Sequence, residues 1–255
     1  MKLVNKIVQL DINDGSLFGD GFTHDVIKNI LIPSVVDYAN KYKYDYEIIR
    51  KSVFTEYLGP LDFFKKKSEH YSFERYLRIR NQFSNVIYID TDVYISKTAS
   101  PIPEITGIMA AKAPGILNHH KSFNKAHKLG DGAPHFNAGV IMTTNHLANE
   151  LSEYMINRYL NRIQSPAGER HNNDNSFLNE YFLENPDSVN MLDEEWNYMP
   201  TLPGSKKELK CNFLHFVGID GKRLLKKLSH LRGSLEENIS KIAEGKILLT
   251  RKNEH

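Results

Sequence analysis

Cys211 is the only thiol in the chain, so no disulfide can close within it and no Cys-x-x-Cys pair can hold a metal or exchange electrons. A reducing compartment follows as the default, with packing as the role of Cys211. Nowhere do eighteen apolar residues run without a charge, and Met1-Lys2-Leu3-Val4-Asn5-Lys6 lacks the apolar stretch of a signal peptide, so the expectation is a cytoplasmic protein. Net charge is also scarce. The 33 Lys and Arg nearly balance the 31 Asp and Glu, leaving +2, which does not argue for nucleic acid as a partner and makes any phosphate binding a local matter. The sequence has no Gly-x-x-x-x-Gly-Lys-Ser/Thr loop and no His-Glu-x-x-His, and Gly15, Gly19 and Gly21 have the wrong spacing for a dinucleotide fingerprint. Internal repeats and low-complexity tracts are missing as well.

What is present suits one globular domain: 255 residues, 40% of them hydrophobic and 25% charged. We assign that domain to residues 1–223 and a basic amphipathic helical tail to residues 224–255. In the tail Leu224, Leu225, Leu228 and Leu231 share helical spacing with Lys222, Arg223, Lys226, Lys227 and Arg232. Such a helix either packs on the domain or makes peripheral contact with an anionic membrane.

Along the chain strands alternate with helices. Lys6 to Leu10, Asp45 to Arg50, Val86 to Ile89, Gly107 to Lys112, Ala138 to Met142, Val189 to Leu192 and Asn212 to Val217 read as strands. Helical periodicity runs from Thr23 to Tyr42, where Pro33 should kink or split it, and again through Phe73, Tyr76, Leu77 and Arg80. It returns through Leu147 to Tyr159 and through Phe177 to Phe182. The polar segment from Ala113 to His135, with three glycines and two prolines, reads as a mobile functional loop. The alternation predicts an α/β architecture with a mostly parallel central sheet flanked by helices, its ligands beyond the carboxyl ends of the strands.

Chemistry concentrates at Val86-Ile87-Tyr88-Ile89-Asp90-Thr91-Asp92-Val93-Tyr94-Ile95. Two acids one residue apart at the end of an apolar strand face the same side in extended backbone. They repel each other and lose hydration there, and a bound cation is the natural compensation. Mg²⁺ or Mn²⁺ suits one or two carboxylates with the remaining positions filled by water and phosphate oxygens. Four further segments accompany the acids: Phe73-Glu74-Arg75-Tyr76-Leu77 before them, then Phe136-Asn137-Ala138-Gly139-Val140, Asn172-Asn173-Asp174-Asn175-Ser176-Phe177-Leu178-Asn179 and Leu214-His215-Phe216-Val217-Gly218.

In that order these segments resemble the A-type (GT-A) glycosyltransferases, especially family eight, the glycogenin and lipopolysaccharide galactosyltransferase type; the likeness covers about residues 5 to 223. The resemblance implies a single GT-A-type domain that moves a hexose from a nucleotide-sugar, most commonly a UDP-sugar, to a hydroxyl of a glycan or lipid-linked acceptor, with retention. It implies that Asp90, Asp92 and His215 hold the metal, the imidazole favouring Mn²⁺ over Mg²⁺. By the same resemblance Arg75, Thr91 and the small residues of Asn137-Ala138-Gly139 meet the donor, with Gly139 letting the backbone approach it. Asp174 binds sugar hydroxyls, Asn175 sits near the reacting carbon, and Leu10 and Asp11 hold the base or ribose. Asp174 and Asn175 also suit a helix N-terminus for purely structural reasons. After Gly218 the family pattern of Lys-Pro-Trp is replaced by Ile219-Asp220-Gly221-Lys222, which puts the diphosphate role of Lys222 one position late. The lone Trp196, followed by Asn197, matches a family Trp-Asn turn and equally suits a core anchor, while His119, His120, Lys121, Lys125 and Lys128 either line an acceptor site or keep a loop soluble.

Two other readings compete. A haloacid-dehalogenase-type phosphatase also carries an apolar strand followed by Asp-x-Asp, though near the start of the chain and with Thr or Val where this sequence has Tyr94. A non-catalytic nucleotide-sugar-binding protein would share every residue named.

Overall fold

The computed structural model describes residues 5–12, 21–53, 67–115, 118–130, 133–163, 174–206 and 209–246. Strands β1 (Asn5–Leu10), β2 (Asp45–Ile49), β3 (Asn85–Ile89), β5 (Ile108–Lys112), β6 (Phe136–Thr143) and β7 (Val189–Leu192) form one sheet in the order β2-β1-β3-β6-β5-β7. A second, two-stranded sheet pairs β4 (Val93–Ile95) with β8 (Phe213–His215). In the large sheet β1 runs parallel to β2 and β3, and β5 parallel to β7, while β6 is antiparallel to both its neighbours. Five strands therefore point one way and the sheet is mostly parallel.

Side-chain parity explains why these strands are apolar throughout. Val8, Val86, Tyr88 and Ile141 point to one face, and Ile7, Ile87, Ile89, Val140 and Met142 to the other. The first face is covered by α3 (Lys67–Ile79), α5 (Asn145–Ile163) and α6 (Asp174–Glu184) through Phe73, Tyr76, Leu151, Met155, Tyr159 and Phe177. The second is covered by α2 (Ile32–Tyr42), through Val35, Tyr38 and Ala39, and by Trp196 and Phe213. A strand buried on both faces loses the polar alternation of a solvent-facing one.

The helix expected to kink or split at Pro33 stays continuous but changes its winding just before that residue. It consists of α1 (Gly21–Val26), a π-helical turn at Ile27–Leu31 and α2, with Pro33 in the first turn of α2. Proline has no N–H to give and crowds the preceding turn, and the wider π turn accommodates both. The Ala113 to His135 segment needs correction as a loop, because Asn118–Ala126 forms helix α4 within it, with Phe123 and Asn124 buried.

The tail is helical, as α7 (Gly218–Ser229) and α8 (Leu235–Ala243). The boundary drawn at 223/224 falls inside α7. Its apolar residues Leu224, Leu225 and Leu228 pack with Tyr94, Leu214, Phe216, Ile239 and Ile242 over the small sheet, so the face a membrane would take is largely occupied by protein. A capping box at Ser234 and Glu237 starts α8. Cys211 is buried in the same cluster, and burial pushes its thiol far up, which suits packing and not reaction. Among the described residues no helix is long and apolar enough to cross a membrane.

Candidate metal and donor site

Strand pairing assembles the site before any side chain is considered. β3 delivers Asp90 at its carboxyl end, where the Asp90 N–H donates to the Gly139 carbonyl of β6 at 2.8 Å. β4 pairs with β8 in a register that sets Val93 opposite His215, and the Phe216 N–H donates to the Asp92 carbonyl at 2.9 Å. The ladder thus carries a histidine from far along the chain to the acidic pair. Its Nε2 lies 3.1 Å from Asp92 Oδ1 and 4.0 Å from Asp90 Oδ2.

Parity places Asp90 on the same side of β3 as Tyr88, facing α3 and α6. The Tyr88 hydroxyl donates to Asp90 Oδ1 at 2.7 Å, and Arg75 Nη2 of α3 stands 3.2 Å from the same oxygen. The same Nη2 is 3.4 Å from Asp174 Oδ2 at the start of α6, Arg75 Nη1 donates to the Ala138 carbonyl at 2.5 Å, and Nε to the Ser72 carbonyl at 2.8 Å. Burial disfavours the charge on Arg75, but Asp90, Tyr88 and Asp174 outweigh it and hold the guanidinium protonated. Arg75 therefore ties α3 to Asp90, to α6 and to β6 from inside the protein.

Gly139 makes room for the histidine. A Cβ on this residue would overlap Cε1 and Nδ1 of His215, so the space its missing side chain leaves is filled by the imidazole. Gly139→Ala should displace the ring and destabilise the protein by about 1–3 kcal/mol, the usual cost of overpacking, as a urea melt would report.

Other named residues fall in place around this centre. Asn175 Oδ1 accepts the Ala138 N–H at 2.8 Å, and Asn179, which sequence reasoning did not assign to the site, pairs with both backbone groups of Phe136 at 2.8 and 3.0 Å. Asp174 and Asn175 are the first residues of α6, which Asn175 and Asn179 tie to β6 and Asp174 to Arg75. Thr91 is buried between the two acids. Leu10 and Asp11 end β1, the parallel neighbour of β3, where Arg50 approaches Asp11 at 3.4 Å and buried Gln9 donates to the Asp90 carbonyl at 3.3 Å. Gly218, with φ of 59°, opens α7 three residues after His215, and half-buried Lys222 lies one turn further on.

The three ligand atoms of Asp90, Asp92 and His215 lie within 4.8 Å of one another. Atoms sharing an ion at about 2.1 Å stand roughly 3 Å apart at right angles and roughly 4.2 Å apart when opposed, so the trio fits a small divalent cation with slight adjustment. The carboxylates keep 25% and 31% of their side-chain surface exposed against 3% for the imidazole, so the centre opens to solvent through the acids.

Burial raises the Asp90 carboxyl above its usual range; Arg75 opposes the shift and Asp92 adds to it. Burial alone would lower His215, yet Asp92, which also accepts its hydrogen bond, and Asp90 carry it above its ordinary 6.5. A proton held more tightly in the folded state stabilises fully below about 6.5, and that contribution is lost as pH rises through the raised value. A cation needs the neutral ring. Urea melts from about pH 6 to pH 8 should therefore show the metal-free protein losing stability with rising pH while added Mn²⁺ stabilises it increasingly.

A mostly parallel sheet with Asp90 and Asp92 at the end of a central strand and a small β4–β8 sheet closing over them has the GT-A type of fold. The solved structures it resembles include several glycosyltransferases. One acts in glycosylation of the major capsid of PBCV-1 (15% identity, 86% of this chain and 96% of that one, TM-score 0.57). Another is the galactosyltransferase LgtC with donor and acceptor sugar analogs (15%, 98% of each chain, 0.54). A third, the bifunctional WbbM, is matched over 94% of this chain and 52% of its own length (14%, 0.56). No family model matches the sequence, and no curated protein matches it significantly.

Proposed function

We propose that this chain is a metal-dependent glycosyltransferase that moves a hexose from a nucleotide-sugar, most simply a UDP-sugar, to a hydroxyl of a glycan or glycoconjugate. The observation that carries the proposal is the convergence of Asp90, Asp92 and His215 at the carboxyl end of β3, in a fold shared with glycosyltransferases.

Asp90, Asp92 and His215 would hold the cation, and the mixed oxygen and nitrogen set favours Mn²⁺ over Mg²⁺. The ion would supply Lewis-acid neutralisation of the departing diphosphate, worth several kcal/mol. Arg75 holds the Asp90 and Asp174 carboxylates in place, which leaves Asp174 to receive sugar hydroxyls and Asn175 to hold the Asn137-Ala138-Gly139 backbone beside the reacting carbon. Leu10 and Asp11 are assigned to the base or ribose, Thr91 to the donor, and Gly218 and Lys222 to the diphosphate side. Retention rests on the family resemblance alone. A lipid-linked acceptor at an anionic membrane would have to use the exposed Arg223, Lys226, Lys227 and Arg232 of the tail.

Incubation with a panel of nucleotide-sugars and Mn²⁺, without and with sugar acceptors, tests the reading. Free nucleoside diphosphate should accumulate from one donor class, faster with an acceptor, and stop on chelation. Metal-dependent binding without turnover would instead favour a nucleotide-sugar-binding protein, and phosphate release insensitive to nucleotide a phosphatase.

A further inference from the structure

The neutral imidazole of His215 carries a single proton and has two acceptors competing for it. Asp92 Oδ1 lies 3.1 Å from Nε2, and Asn197 Oδ1 lies 2.9 Å from Nδ1. We infer that Asn197 is the positioning residue that fixes His215 as the Nδ1–H tautomer, keeping the Nε2 lone pair available to a cation at the centre proposed above. The inference depends on that metal centre only for its functional consequence.

The orientation of each amide follows from one donor that cannot be reversed. The Gly139 backbone N–H can only donate, and it lies 2.9 Å from the side-chain oxygen of Asn137. That oxygen can only accept, so the Asn197 atom 3.1 Å from it is the amide nitrogen. The Asn197 oxygen is then the atom that faces His215. Both competitors accept only, but Asp92 is 31% exposed and water can donate to it, whereas the buried amide oxygen has His215 to satisfy it, which places the proton on Nδ1. Asn197 is wholly buried, and water cannot replace either of its partners.

The alternative tautomer would mask two ligands at once. With the proton on Nε2, His215 would donate to Asp92, engaging both a ligand nitrogen and a ligand oxygen, and the buried Asn197 oxygen would lose its donor. The ring cannot slide away from the choice, because it lies against Gly139. Asn197 is held just as firmly. Its N–H closes the turn at Glu194–Trp196, Trp196 packs edge-on against Phe213 at 5.3 Å, and the His215 N–H donates to the Tyr198 carbonyl at 2.8 Å. The only tryptophan thus anchors the turn that presents Asn197.

The experiment begins on the native, metal-free protein labelled with ¹⁵N-histidine. Long-range ¹H–¹⁵N correlation, with His215 assigned by loss of its signals in His215→Gln, reads the tautomer at a pH where the ring is neutral. Native protein should give Nδ1–H, and Asn137→Asp, which preserves both accepting positions, should give the same. Asn197→Ala should shift the ring toward Nε2–H and raise the Mn²⁺ dissociation constant, read by electron paramagnetic resonance, about 10–100-fold. Nε2–H in the native protein, or an unchanged tautomer in Asn197→Ala, would overturn the assignment, and the first of these needs no variant to fold. Nδ1–H in a native protein that binds no Mn²⁺ would support the assignment and remove the metal centre, so the two failures are distinct.

Discussion

Asp92→Asn is expected to lower turnover of a nucleotide-sugar by about a thousandfold while leaving the fold intact. Removing a cation worth several kcal/mol to the transition state costs roughly that factor, at a tenfold change per 1.36 kcal/mol. The fold should survive for three local reasons. The side chain is 31% exposed, an asparagine amide can still pair with His215 Nε2 by donating its N–H to the lone pair there, and the Asp92 carbonyl keeps its bond from the Phe216 N–H. The neutral side chain also ends a repulsion that raises the Asp90 carboxyl. Turnover and a urea melt measured side by side decide the matter. A large loss of stability would make Asp92 a structural residue, and unchanged turnover would remove it from the site.

Arg75→Met should do the reverse, destabilising the whole protein. The guanidinium is 8% exposed and is the cation shared by Asp90 and Asp174, while its Nη1 and Nε serve two buried carbonyls. Methionine of similar length fills the space and leaves the two carboxylates without their cation. Breaking a buried pair from one side costs about 3–5 kcal/mol, most of it the penalty of the stranded charge. Adding Asp174→Asn removes one such charge, so the double variant should be less destabilised than the sum of its single changes. Denaturant midpoints of the four proteins measure that coupling, and strict additivity would mean that Arg75 does not act through Asp174.

The strands, the covering helices and the acidic pair were legible because burial leaves a simple mark. Val86 to Ile89 is apolar on both faces, and two acids directly after such a run demand an explanation. His215 was legible only through the order of the motifs, since nothing local separates it from a core histidine. That His215 packs against Gly139 was not legible, for a physical reason. A small residue announces close approach but not the approaching group, which the β4–β8 pairing delivers. Helix α4 was hidden because its inward face is built from His120, Phe123 and Asn124, with His120 stacked on His135 at 4.1 Å and Asn124 bonded to the same ring at 2.8 Å. Polar residues that face inward leave no hydrophobic period. Asn197 follows the same logic, for its partners are set by tertiary pairing alone. Gly15 and Gly19, and Asn172 and Asn173, lie outside the described residues.

The most direct test of the central claim is thermal unfolding of the native protein with UDP and UDP-sugars, in the presence and absence of Mn²⁺. A ligand at a hundred times its dissociation constant stabilises by about 2.7 kcal/mol, well within detection. The expected result is stabilisation by one nucleotide class that appears only with the cation and is lost in Asp92→Asn. Absence of stabilisation by any nucleoside diphosphate, with or without metal, would contradict it.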